Sequence, residues 1–183
     1  MTSITPKSYA VIAQLGRLRA AGFPLGGLLI AYKALLVPLL TYCISLWGGS
    51  YGNVIAAAQV LQNDALRSIL GVERYRSVSG EFGGLDILRI DELHRVAVRF
   101  LAYKISKQMV NSEVLPPLIA RTMCSTRRQT MFETPLAWLA YLRQSLFYKI
   151  PATWSSIPRD TRSLPSGKRF LEEFVKLVRK ARV

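Results

Sequence analysis

The chain has 183 residues, half of them hydrophobic, and 25 Lys/Arg against 11 Asp/Glu give it a formal charge of +14. That length fits one domain or two small subdomains, and the apolar share is enough to fold, which excludes a purely disordered polycation. So large a single-sign excess repels itself unless a polyanion offsets it, so nucleic acid or an anionic membrane surface is the expected partner.

Taken in order, the segment Tyr9 to Ala21 is helix-prone, with Val11, Leu15 and Leu18 at three- and four-residue spacing. Gly22 and Phe23-Pro24 break it. The most apolar stretch follows, Leu28 to Trp47, holding one charge, Lys33, and one proline, Pro38. Its length invites a membrane reading, since about 20 apolar residues cross a bilayer core of about 30 Å. The lysine and the proline argue against it. A charge at mid-helix costs about 2.5 to 3.5 kcal/mol on insertion scales, and proline removes a backbone donor and kinks the axis. The expected element is a buried, proline-kinked core helix, with a span or an interfacial helix as its rivals. Tyr32, Pro38, Tyr42 and Trp47 are expected to mark its packing seam against the next helix.

That helix runs from Val54 to Leu70, capped by Asn53 and ended by Gly71. Val54, Ala58, Leu61, Ala65 and Ile69 form its apolar stripe, with Gln59, Asn63 and Arg67 on the other side. It is expected to pair antiparallel with the apolar run before it. Glu73 to Gly84 reads as a loop in which Arg74, Tyr75 and Arg76 interleave base and aromatic, either as a solvated turn or as a contact for phosphates and a base face. A third helix is expected from Asp91 to Gln108, with His94 at the surface or at the edge of the core. Pro116-Pro117 ends that region, and Arg121 to Thr134 reads as a polar, basic connector.

Thr134-Pro135 would cap a helix continuing to Leu146. Pro151 and Pro158 bracket Trp154 in a stretch expected to be extended, laying the indole into a pocket. The closing helix has the clearest periodicity. Phe170, Leu171, Phe174, Leu177, Val178 and Ala181 line one face, and Glu172 precedes Lys176 by four residues. Its basic face is either the solvated side of a docking helix or a rail for nucleic acid. The charge is uneven in the same sense: residues 121 to 183 carry 13 Lys/Arg against 4 Asp/Glu.

The expected architecture is therefore mainly α, a helical bundle of about four to six helices with an extended proline-rich segment near the C-terminus. Its regions are 1–110, a basic connector 111–134, and a basic region 135–183. Catalytic chemistry is not legible. The acids are scattered with no Asp-Asp pair for two-metal phosphoryl transfer, and there is no phosphate loop or nucleophile elbow. Cys43, Cys124 and His94 are too few for a structural zinc, and two cysteines make no disulfide framework. No catalytic residue, metal, cofactor or small-molecule ligand is expected. Met1 to Gln14 does not read as a secretory signal, so an intracellular location, nucleus or cytoplasm, is expected.

Several stretches, taken in order, resemble the region after the catalytic palm in reverse transcriptases of LINE-type, jockey-like (non-long-terminal-repeat) retrotransposons. Tyr32-Lys33-Ala34-Leu35-Leu36 through Pro38, Tyr42 and Trp47-Gly48 looks like the family's apolar helix with Pro, then Tyr-Gly, then Trp-Gly, with Cys43 standing where the glycine would be. Leu61-Gln62-Asn63 with Ala65-Leu66-Arg67 and Gly71 is similar to its Leu-Gln-Asn-x-Ala-Leu-Arg helix. Gly84-Leu85 to Leu93, then Arg95-Val96-Ala97 and Tyr103-Lys104-Ile105, look like the next helix, and Thr126-Arg127 like a basic connector. Ser145, Phe147, Tyr148, Pro151, Trp154, Ser156 and Pro158 resemble a closing Trp-Asn-x-Leu-Pro motif, with Ser155 and Ile157 replacing the asparagine and leucine. Ser163-Leu164 before Phe174 and Lys176 fits its final helix.

The resemblance covers about residues 25 to 183. It implies a helical, thumb-like, non-catalytic C-terminal part of an RNA-directed DNA polymerase whose aromatic-x-Asp-Asp palm would lie upstream. Its partners would be that palm and RNA or an RNA/DNA hybrid. Arg121, Arg127, Arg128, Arg143, Lys168, Arg169, Lys176, Arg179 and Lys180 are the candidate phosphate contacts, with Trp154 as a packing anchor. The alternatives are a small membrane protein spanning at 28–47 and a helical partner-binding remnant without nucleic-acid activity.

Overall fold

A computed structural model describes residues 4–49, 52–110, 138–154 and 156–181. The protein is mainly helical, and no strand occurs among the described residues. Four helices are long, α1 (Ile4–Ala20), α5 (Gly52–Leu70), α7 (Ile90–Ser106) and α11 (Gly167–Lys180). Shorter segments lie between them: α2 (Leu25–Ala31), a π turn (Tyr32–Leu36), α3 (Val37–Thr41), α4 (Ile44–Trp47), α6 (Glu81–Gly84), α8 (Ala140–Gln144), α9 (Leu146–Trp154) and α10 (Arg159–Ser163). The expectation of four to six helices captures the long ones and misses the short ones. The chain divides into two compact units, Met1–Ile44 with Tyr51–Leu93, and Ser45–Ser50 with His94–Val183. That division falls inside α7, whereas composition suggests a border at residue 110.

In the first unit the apolar run is not one kinked helix. Leu28, Tyr32, Leu36, Leu40 and Ile44 are all buried, a repeat of four residues. A regular helix of 3.6 residues per turn drifts by about 40° at each such step. The wider π turn offsets that drift, with Val37 N–H donating to the carbonyl of Tyr32 five residues back. The widening also sits just ahead of Pro38, which occupies the first turn of α3 where a missing N–H is tolerated. The helix then breaks at Tyr42 and Cys43, and Cys43 takes φ 53. The expected seam is thereby corrected: Tyr32 is buried, but Pro38 and Tyr42, two residues out of phase with the stripe, are exposed. With the run interrupted in this way, the proposed span at 28–47 has no element to support it. Among the described residues no helix is long and apolar enough to cross a membrane.

Of the expected α5 stripe Ala58, Leu61, Ala65 and Ile69 are buried and Val54 is half-buried, and Gln62, beside them, is fully buried. Its Nε2 donates to Tyr32 Oη at 2.8 Å and to the Leu88 carbonyl at 2.9 Å, and Gln59 Nε2 donates to its Oε1 at 2.9 Å. Gln59 Oε1 in turn accepts from Ile90 N–H at 3.0 Å, while Glu92 accepts from Arg89 N–H at 2.8 Å. Two orphan donors at the start of α7 are thus satisfied by side chains, the second in capping-box fashion. Three further expectations change here. Asn53 lies inside α5, which begins at Gly52. The main partner of α5 is α1, not the apolar run. The loop at 73–84 contains a helical turn, α6, anchored by buried Phe82. Gly71 does end α5, at φ 64, with Val72 N–H closing onto the Arg67 carbonyl as in a Schellman motif.

In the second unit the expected extended stretch is corrected too, because Pro151 lies within α9. A proline in a helix interior costs about 3 kcal/mol. Ile150 and Trp154, one helical turn apart, are both buried. Burying an apolar side chain of this size contributes about 1.5 to 3 kcal/mol, so together they outweigh the missing bond. The expected helix reaching Leu146 is interrupted at Ser145, whose ψ of 154 is extended. Thr134-Pro135 and the connector fall outside the described residues.

Candidate nucleic-acid interface

The site is built on an aromatic cluster of the second unit. Phe170 and Phe174 of α11 are buried, and Phe170 stacks on Tyr103 of α7 with ring centroids 4.3 Å apart. Phe100 and Phe174 flank Phe170 at 6.4 and 6.1 Å. Tyr103 Oη donates to the Leu164 carbonyl at 2.7 Å, tying the entry of α11 to α7. With its apolar side committed in this way, α11 turns Lys168, Arg169, Lys176 and Lys180 to solvent.

Of the sequence-predicted contacts, those four and Arg143 of α8 are exposed, and Arg179 is half-buried. Lys168 and Arg169 occupy the first turn of α11, and Lys176, Arg179 and Lys180 its end, so one helix holds five of them while Arg143 stands on another. Lys176 pairs with Glu173 at 2.7 Å, three residues away, rather than in the expected spacing of four. The hydrogen bond that Lys176 donates to Glu173, and then the Glu173 charge, raise the Lys176 pKa. The basic first turn opposes the helix dipole, so these two charges do nothing for α11 itself. Arg121, Arg127 and Arg128 lie outside the described residues. Trp154 is buried as expected, with the Arg162 guanidinium 5.9 Å from its ring.

Sequence reasoning missed three further cations that cap the aromatic cluster. Arg99 lies over Phe174 at 5.1 Å, Lys104 over Phe100 at 4.6 Å and Lys107 over Tyr103 at 5.9 Å. Burial, and then the neighbouring Arg95 charge, push the Arg99 pKa down, and its Nη2 donates to Ser156 Oγ at 3.3 Å. The signal was available in part: Phe100 and Lys104 on α7, and Tyr103 with Lys107 just past its end, are i, i+4 pairs, the spacing of neighbours on a helix surface.

No protein-family model, curated protein or solved structure matches the chain. What the fold and the site define is a class: a mainly helical, strongly basic protein whose terminal helix is anchored by aromatic stacking and carries exposed cations.

Proposed function

We propose that this protein is the C-terminal, non-catalytic part of a LINE-type retrotransposon reverse transcriptase, and that it holds RNA or an RNA/DNA hybrid by its phosphates. The observation that carries the reading is at Cys43. Its φ of 53 is a left-handed conformation that glycine adopts freely, and it is the position at which the resembled pattern has glycine. Other parts of that pattern also sit at constrained points. Tyr32 and Gln62 come from two of its pieces and bond one another. The net charge supports the choice of a polyanion over a protein partner.

The test is a salt titration of RNA binding. Wild type should lose affinity steeply with salt, as counterion release requires. A variant with Lys168, Arg169, Lys176 and Lys180 changed to Gln should bind more weakly, with a log–log slope shallower by about 3, at roughly 0.7 for each single-strand phosphate left without its cation. An unchanged slope overturns the role of α11. For the family assignment, an aromatic-x-Asp-Asp palm encoded upstream of Met1 is expected, and unrelated sequence on both sides would overturn it.

A further inference from the structure

The first unit contains a cleft of about 640 Å³, lined by Tyr9, Gly16 and Arg19 of α1, Arg67 and Ser68 of α5, and Arg74 of the following loop. Its charge is unbalanced. Asp64 also lines it but is engaged by Arg67 at 2.7 Å, so Arg19 and Arg74 have no acidic partner among the described residues. The Arg19 guanidinium rests against Gly71, where a Cβ would overlap it. The residue that ends α5 therefore also makes the seat for this cation.

Two more features are unexplained by folding alone. Gly16 is in the interior of α1, where glycine is poorer than alanine, yet a Cβ there would meet nothing within 4 Å. The fold leaves room in the cleft wall at a cost to the helix. Beside Arg74, Tyr75 is 92% exposed. Its turn is nonetheless fastened on both sides, since Arg67 Nε donates to the Arg76 carbonyl at 3.0 Å and Arg76 N–H to that of Glu73 at 3.0 Å. A large aromatic held out in water between two arginines, next to a cationic cleft, suits a ligand with both a phosphate and a flat ring.

We propose that this cleft is a nucleotide site, with Arg19 and Arg74 taking a phosphate and Tyr75 stacking on the base. The choice of a nucleotide over other phosphate esters rests on the nucleic-acid reading above, but no residue of α11 lines the cleft. The unit bound is a nucleoside monophosphate, free or within an unpaired strand.

The full chain is titrated calorimetrically at low salt with AMP, with single-stranded tetra-adenylate and with inorganic phosphate. AMP or the tetranucleotide should bind more tightly than phosphate. Tyr75→Ala should weaken both about ten-fold, as removal of one stacking platform does, and leave phosphate unchanged. Arg74→Gln should weaken all three, and Gly16→Leu should block the cleft. Binding of AMP assigns the free nucleotide, and binding of the tetranucleotide alone assigns a strand. Both outcomes support the site. Absence of binding by all three ligands overturns it, as does unchanged affinity in both Tyr75→Ala and Arg74→Gln, changes confined to the surface. The α11 glutamine variant separates the two readings. If long RNA binds through α11 while AMP and tetra-adenylate do not bind, the cleft is overturned and the α11 role stands. Nucleotide binding with long-RNA affinity untouched by the α11 changes gives the reverse.

Discussion

Cys43 is one of three described non-glycine residues, with Asp86 and Gln108, that hold a left-handed φ. A left-handed conformation costs an L-residue about 1 to 2 kcal/mol, and the greater freedom of glycine in the unfolded chain costs about 0.5 to 1 kcal/mol. Cys43→Gly should therefore stabilise the fold by roughly 0.5 to 1 kcal/mol, read as a higher denaturation midpoint at an unchanged m-value; a lower midpoint would remove the argument for strain. Tyr32 supports a second expectation. Burial raises its pKa from 10.0 to about 12, against the opposing pull of the Gln62 hydrogen bond. A raised folded-state pKa means the contribution is whole below pH 10 and is lost as pH climbs through about 12. The loss is roughly 2 to 3 kcal/mol at about 1.4 kcal/mol per pH unit. Tyr32→Phe should lack that alkaline loss, and at neutral pH it should be less stable by about 1 to 3 kcal/mol, because one Gln62 donor is left buried without its partner. Parallel unfolding curves at pH 7, 10 and 12 would decide it, and an equal alkaline loss in both proteins would exclude Tyr32 as the source.

At the scale of elements, α11 is held by its aromatics. Phe170→Ala should cost about 3 to 5 kcal/mol, the range for a fully buried phenylalanine. Leu177→Ala, at 38% exposure, should cost far less, and near-equal losses would mean that the stacking with Tyr103 carries no weight. The helix face behind this prediction was legible, because Phe170 and Phe174 recur at a spacing of four and a 3.6-residue period brings them to one side. The other long helices were legible for the same reason. The breaks within helices were not. The π turn arises from a four-residue burial repeat meeting Pro38, and composition shows the proline but not which residues the core demands. Pro151 reads locally as a helix breaker, yet two buried neighbours override it, a tertiary effect that a single segment does not display. Gln62 looks like a solvent residue until Tyr32, 30 positions earlier, comes within hydrogen-bond reach. Of the candidate site, the cations of α11 were legible, and those capping the aromatic cluster required knowledge of which rings stack.

For the whole molecule, salt should act with opposite signs on two properties. A charge of +14 repels itself in the folded state. Screening over a Debye length of about 10 Å at 0.1 M weakens that repulsion, so the melting temperature should rise between about 0.02 and 0.15 M salt. The same screening removes the gain from counterion release, so RNA affinity should fall over that range. Association driven by apolar surface predicts a different pair of signs, because salts excluded from the protein surface strengthen burial, and binding would then hold or tighten as stability rises. Melting curves and binding isotherms in one salt series therefore separate an electrostatic grip on nucleic acid from the partner-binding alternative. The decisive quantity is the sign of the binding slope, because a rising melting temperature is common to both accounts.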